Sequence, residues 1–333
     1  MNNDSEIKKI AITGASGHVG ACLCRDLIKR GYNVKVLFHK DDTGFKGLDI
    51  EIIKGDLLDK DSLGKLVRDS DAVIHLGAVI SINGGNTANV IKTNVDGTRN
   101  ILECSLESGI TRFIHFSSVH ALESKPLDKQ VDETRPLITS SKMIYETTKA
   151  ESERLVAKAV KSGLNAVVLN PSAIIGPCDY KPSYLGLAIM KIAQNKLPML
   201  VPGGYNYVDV RDVSNAAVAA ITKGRSGERY ILSGNWHSLK EISEMTAKIT
   251  GGKTPKIVCP TSIAKLGVPF IKFYAKIFNE EPLYTYNSLN ILKESNKNIS
   301  NLKAQKELGY SARPLYETLK DTLEWFKENG YMD

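Results

Sequence analysis

In the stretch SSKMIYETTKAESERL (140–155), Tyr145 and Lys149 stand four residues apart near the start of what reads as a helix. Four residues is about one helical turn, so the two side chains emerge on the same face. On a buried face, an ammonium beside a phenol favours the phenolate and lowers the tyrosine pKa from its usual ~10. A tyrosine tuned in that way can exchange a proton with a substrate oxygen. On a solvated face the same two residues have no chemical consequence, and the pair alone leaves both readings open.

A second group of residues lies near the start of the chain. ITGASGHVG (12–20) places Gly14, Gly17 and Gly20 at G-x-x-G-x-x-G spacing between an expected strand and an expected helix. Glycines there permit a tight turn and let backbone N–H groups approach a pyrophosphate at the positive end of the helix. The end of the second strand distinguishes the two nicotinamide dinucleotides, because a carboxylate there holds the free ribose 2′-hydroxyl of NAD. The residues at that point are Phe38, His39 and Lys40, with acids only at Asp41 and Asp42. A lysine without a carboxylate favours a 2′-phosphate, so NADP is expected and NAD is the alternative. Further on, GDLLD (55–59) places Asp56 where it can accept from an adenine amino group. HLGAV (75–79) ends a strand in small residues that let a cofactor lie against the backbone.

The elements that must position these groups are legible as an alternation. β-Branched runs at 8–13, 33–38, 50–55, 71–76, 112–117 and 165–170 predict strands. Between most of them lie amphipathic stretches such as VGACLCRDLIKRG, which Gly31 stops. Near-continuous apolar strands alternating with helices imply a parallel sheet covered on both faces, the doubly wound α/β fold. The stretch 206–236 reads as one more helix and strand returning to that sheet. Ser238 and Glu241 have capping-box spacing for a new helix, and the remainder is mostly helical. The expected organisation is a dinucleotide-binding domain of residues 1–171 and 206–236 and a substrate-binding domain of residues 172–205 and 237–333.

Bulk properties narrow the classes. With 42% hydrophobic and 24% charged residues, the chain is neither disordered nor membrane-spanning in composition. The net charge of +7 is spread out, with no basic stripe and interleaved aromatics, so no nucleic-acid partner is expected. The polar start MNNDSEIKKI shows no signal peptide, and Cys22, Cys24, Cys104, Cys178 and Cys259 include no C-x-x-C pair. A cytoplasmic protein with reduced thiols and no metal is the expectation. The longest apolar stretch, IAKLGVPFIKFYAKIF (263–278), carries Lys265, Lys272 and Lys276 on one helical face and is amphipathic. It is expected to act as a lid over an apolar pocket, through Val268, Phe270, Ile271 and Phe273. Contact with a membrane surface is the alternative.

The ordered set TGASGHVG, GDLLD, VIHLGA, TNVDGTRNIL, FSSVHA, YETTK, LNPSAIIGP and YVDVRDV resembles the extended short-chain dehydrogenase/reductase, or NAD-dependent epimerase/dehydratase, family. LNPSAIIGPCDYKPS, GERYILSG and ELGYSARPLYETLKDTLEWF are most similar to its dihydroflavonol 4-reductase-like branch. The resemblance implies a Rossmann sheet with a smaller, mostly helical C-terminal domain. It implies Tyr145 as the acid/base, Lys149 as the group that binds the nicotinamide ribose and lowers the tyrosine pKa, and Ser118 as the residue that positions the substrate oxygen. Ser117 is the fallback for Ser118, and Asn94 is either catalytic or structural. The implied cofactor contacts are Gly14, Ser16, Gly17, His18, Val19, Gly20, His39, Lys40, Asp56, Leu57, Leu76, Gly77, Ala78, Tyr145, Lys149 and Pro171.

The resulting expectation is an NADP-dependent reductase or alcohol dehydrogenase for a medium-sized, ring-containing small molecule, with a homodimer left open. The alternative is a nucleotide-sugar epimerase or dehydratase that keeps its NAD and clamps a diphosphate with arginines. Only Arg211, Arg225, Arg229 and Arg313 are available for such a clamp in the second half of the chain. A non-catalytic dinucleotide-binding regulator would have no use for the Ser118, Tyr145 and Lys149 set.

Overall fold

The computed structural model describes residues 7–81, 87–197, 199–277, 282 and 284–332; the side chains of 272–276 lie outside the described set. Along the first half run β1 (Lys9–Thr13), α1 (His18–Lys29), β2 (Asn33–Phe38), β3 (Glu51–Lys54), α2 (Lys60–Val67) and β4 (Ala72–His75). Next come α3 (Thr87–Ile91), a π turn at 92–96, α4 (Gly97–Glu107), β5 (Arg112–Phe116), α5 (Ile144–Lys161) and β6 (Ala166–Pro171). The second half contains β7 (Ala173–Ile175), α6 (Tyr184–Ala193), β8 (Gly204–Asp209), α7 (Val210–Lys223), β9 (Arg229–Leu232), β10 (Trp236–Ser238) and α8 (Leu239–Thr250). It closes with α9 (Thr261–Ile277), α10 (Tyr286–Glu294), α11 (Leu302–Leu308) and α12 (Leu315–Glu328).

Seven strands form one parallel sheet in the order β3-β2-β1-β4-β5-β6-β9. Alternate residues of each strand enter different cores, as the pleat requires. Ile10, Ile12, Ile114 and Phe116 pack with Leu23 and Leu27 of α1 and with Val213 and Ala217 of α7. Ala11, Val73 and Phe113 pack on the other face with Leu63 of α2, Ile101 of α4 and Val156 of α5. Both faces are therefore covered, which is why these strands read as near-continuous apolar runs. The strand order reverses between β1 and β4, and a crevice opens at the carboxyl ends there.

The chain returns to this sheet through α7 and β9, as its sequence suggests. Before doing so it builds a second, three-stranded sheet in the order β10-β8-β7. Residues of α6, α8 and α12 surround that sheet, with Ile189, Ile242 and Leu323 in its core. The capping box of α8 forms in full: Ser238 accepts from the Glu241 N–H, and the Glu241 carboxylate accepts from the Ser238 N–H.

The lid expectation is not met at Val268, Phe270 and Ile271, the residues of it that are described. Among the described residues, none of α9 lines the cavity described below. Val268 is buried with Val201, Leu289 and Leu292, behind the cavity wall, while Phe270 is 77% exposed. Ile271 is half-buried away from the cavity lining, and the Phe273 side chain lies outside the described residues. The lysine spacing identified an amphipathic helix, but spacing alone does not say which neighbour its buried side meets. No helix among the described residues is long and apolar enough to cross a membrane.

Candidate active site

A cavity of about 650 Å³ runs from the turn between β1 and α1, past the ends of β4 and β5, to α6 and α10. Its glycine end depends on close backbone approach. Gly14 has φ +77, and a Cβ there would lie 2.7 Å from the Gly77 amide nitrogen. A Cβ on Gly20 would lie 2.2 Å from the Gly14 carbonyl oxygen. Gly17 caps α1, and its Cβ position would meet only the Gly14 oxygen, at 3.4 Å, so the space in front of the helix end is clear. Ser16, His18, Val19, Leu57, Leu76, Ala78 and Pro171 also line the cavity. The His18 ring is tied to the far side, with Nε2 at 3.0 Å from the Pro177 carbonyl oxygen.

At the rim, His39 and Asp56 both line the cavity and pair with each other at 3.3 Å. Asp56 also accepts from the Leu58 N–H at 2.8 Å, so its two oxygens are already engaged. Lys40 is exposed and does not line the cavity, unlike the other residues expected to contact a dinucleotide.

Ser118, Tyr145 and Lys149 converge on the middle of the cavity. Ser118 follows β5, caps a short 3-10 turn at 119–121 by accepting from the His120 N–H, and lies near enough to the Tyr145 hydroxyl to bear on its pKa. Ser117 also lines the cavity, and its buried hydroxyl has no hydrogen-bond partner among the described residues, so both serines of the pair stand at the site. Tyr145 and Lys149 share the first turns of α5. Lys149 is buried, and its Nζ donates to the Phe116 carbonyl oxygen at 2.7 Å.

The expected depression of the tyrosine pKa is not what the structure gives. Burial pushes Tyr145 up to about 12, the nearby Ser118 hydroxyl opposes that rise, and the Glu146 carboxylate adds to it. Lys149 is itself pulled down to about 8 by burial, with Glu153 one turn later acting the other way. Its ammonium is directed at Phe116, and desolvation outweighs the attraction that helical spacing suggested.

Asn94 is committed to structure. Its Oδ1 accepts from the Val79 N–H at 2.7 Å, and its Nδ2 donates to the Val79 oxygen at 3.0 Å and to Thr148 Oγ1 at 3.1 Å. The π turn that carries it leaves its own carbonyl to accept from Thr98 and Ser152. Asn94 thereby fixes the strand-end segment that forms one cavity wall.

Some lining residues escaped the sequence reading. His120 lies two residues beyond Ser118 within FSSVHA and stands 3.4 Å from Glu146. That proximity in sequence was the one available signal. Tyr184, Leu185, Ile192, Tyr205, Leu239, Tyr284, Ile291 and Leu292 come from five separate segments of the second half, which only tertiary packing brings together.

The NAD dependent epimerase/dehydratase family model matches residues 10–233. The chain belongs to that family. As an epimerase/dehydratase-family protein it is an NAD(P)-binding enzyme of the extended short-chain dehydrogenase/reductase type. Among its relatives is sterol demethylase protein B of Methylococcus capsulatus, 30% identical over 96% of this chain and 98% of that protein. A Synechocystis protein provisionally named dihydroflavonol 4-reductase is 32% identical over 96% of this chain and 95% of its own length. The crystal structure of gox2253 superposes with a TM-score of 0.84, at 32% identity, over 98% of this chain and 100% of that one. The dinucleotide such an enzyme needs fits this cavity: the space in front of Gly17 is clear, and the N-terminus of α1 there suits an anionic pyrophosphate.

Proposed function

We propose that the protein is an NADP-dependent carbonyl reductase acting on an apolar, ring-containing ketone or aldehyde. The observation that carries this reading is the substrate end of the cavity. Beyond Ser118, His120 and Tyr145, its described lining is Ser172, Ala173, Ile174, Ser183, Tyr184, Leu185, Ala188, Ile192, Leu197, Leu200, Tyr205, Leu239, Pro282, Tyr284, Ser288, Ile291 and Leu292, with no charged residue among them. A nucleoside diphosphate would find no cation among the described residues of that end. The four arginines of the second half are each engaged with a carboxylate: Arg211 with Asp209 and Asp321, Arg225 with Glu307, Arg229 with Glu153, and Arg313 with Asp212. Removing one of them from its partner would strand a charge, which is costly where the carboxylate is buried, as at Asp209, Asp212 and Glu153.

When bound, the nicotinamide supplies the hydride. Tyr145 then gives its phenolic proton to the carbonyl oxygen, and Ser118 donates to that same oxygen to hold it against the phenol. Lys149 holds the cofactor ribose. A phenol whose pKa lies near 12 is protonated at neutral pH, which is the form that a reduction consumes. The similarity to a protein named for sterol demethylation agrees with an apolar ring as substrate. The NADP preference rests on the missing carboxylate at Phe38, His39 and Lys40 and on the presence of His39 at the rim, where a 2′-phosphate competes with Asp56 for the imidazole.

The test is purified protein with NADPH, NADH, a set of alicyclic and polycyclic ketones, and a set of nucleotide sugars. NADPH-dependent reduction of an apolar ketone is expected, with His39→Ala narrowing the preference for NADPH over NADH. Turnover confined to nucleotide sugars would overturn the reading.

A further inference from the structure

Helix α9 presents large apolar side chains to solvent. Ile263, Leu266, Phe270 and Ile277 are 57%, 76%, 77% and 60% exposed. At 3.6 residues per turn these four fall within an arc of roughly 60°. Ile257 and Val258, just before the helix, add 60% and 47% exposure. The opposite side of α9 is fixed to the protein, because Ala264 and Val268 pack against Val201, Leu289 and Leu292. An amphipathic helix whose apolar face is partly inward is ordinary, whereas one with a second, outward apolar stripe marks a contact surface.

The charge around this stripe indicates what covers it. Between Glu244 and Glu280 the chain carries six lysines (Lys248, Lys253, Lys256, Lys265, Lys272 and Lys276) and no aspartate or glutamate. Lys253 and Lys256 are exposed beside Ile257 and Val258. A second copy of the chain docking through the same face would bring lysines against lysines, with no acid in the described stretch 245–277 to offset them. A surface of phosphates would meet the same lysines as counter-charges. We propose that α9 docks on an anionic phospholipid bilayer, with Ile263, Leu266, Phe270 and Ile277 at the boundary between headgroups and acyl chains and Lys253, Lys256 and Lys265 on the lipid phosphates.

The position of α9 gives the docking a use. Leu292, against which Val268 packs, lines the cavity, as do Ile291 and Ser288 of the same helix. The bilayer would therefore lie behind the α10 wall, and an apolar substrate would pass between lipid and cavity without crossing water. That use rests on the apolar-ketone reading above, whereas the docking itself does not.

The experiment is sedimentation of the full chain with vesicles of phosphatidylcholine alone and of phosphatidylcholine mixed with phosphatidylglycerol. Binding to the anionic vesicles is expected to be at least about 10-fold tighter than to the neutral ones and to weaken with added salt. The double variant Leu266→Glu, Phe270→Glu, at two of the most exposed apolar positions, is expected to lose at least about 10-fold in vesicle affinity. Its circular dichroism and its affinity for NADPH should be unchanged. Absence of binding to anionic vesicles, or equal binding by wild type and variant, would overturn the proposal. So would a dimer that the variant dissociates while no vesicle binding is seen. Because the readout is lipid binding, failure of the reductase reading would leave this result standing, and the reverse also holds.

Discussion

Tyr145 and Lys149 are one helical turn apart, yet burial rather than mutual attraction sets the charge of each. Tyr145→Phe removes the proton while keeping the ring. Turnover is expected to fall at least ~100-fold, the scale of general acid catalysis, with NADPH affinity retained; steady-state rates and a binding titration check both. Lys149 leads to a pH prediction. Its folded-state pKa of about 8 lies below the usual lysine value because burial disfavours the ammonium. The cofactor-free protein therefore loses this cation as pH rises through about 8, and NADPH affinity should fall above that pH and level off below it. Lys149→Met should bind more weakly and lose that step. The sign for stability is opposite to that of a lysine gaining a partner: between about 8 and the unfolded-state pKa, the unfolded chain binds more protons, so this group adds stability as pH rises. That these residues meet at one cavity was legible because the Tyr-x-x-x-Lys spacing and the serine pair sit inside a run of ordered motifs. The direction of the Lys149 ammonium toward Phe116 was not, since a long side chain chooses its partner from the tertiary surroundings. The same holds for Lys40, which follows the right strand and still stands clear of the cavity.

At the scale of elements, the turn between β1 and α1 depends on glycines at which the neighbouring backbone leaves no space. Gly20→Ala would place a methyl group 2.2 Å from the Gly14 oxygen and 2.7 Å from Ala15 Cα, both of them backbone atoms of the turn. The turn must open, so the variant is expected to lose roughly 1–3 kcal/mol of stability and to bind dinucleotide more weakly. Chemical denaturation and a cofactor titration measure the two effects. Strand runs such as NVKVLF and DAVIHL announced the large sheet, because strands buried on both faces are apolar throughout. The small sheet gave no comparable signal. β7 and β10 have three residues each, too few for any periodicity, and they pair with β8 across long stretches of sequence. Asn94 shows the same limit in one residue: its motif marks the position, but its clamp on Val79 depends on a π turn that sequence periodicity does not reveal.

On the scale of the whole molecule, the second half of the chain supplies both the apolar wall of the cavity and the engaged arginines. Arg211 links Asp209, at the end of β8, to Asp321 of α12, and Arg313 reaches back to Asp212 of α7. These pairs hold the C-terminal helices against the sheet and leave no arginine among the described lining of the cavity. On the reading proposed above, a hydride delivered in such a cavity goes to a ketone that then leaves as an alcohol. In an epimerase the hydride returns to the sugar from which it came. The measurement that separates these outcomes is a reaction with NADPH carrying deuterium at the transferable C4 position and an apolar cyclic ketone, followed by mass spectrometry of product and cofactor. The account predicts that the label appears on the carbinol carbon of the product and that NADPH is consumed mole for mole. Label retained in an unchanged cofactor pool, while a nucleotide sugar is interconverted, would contradict it.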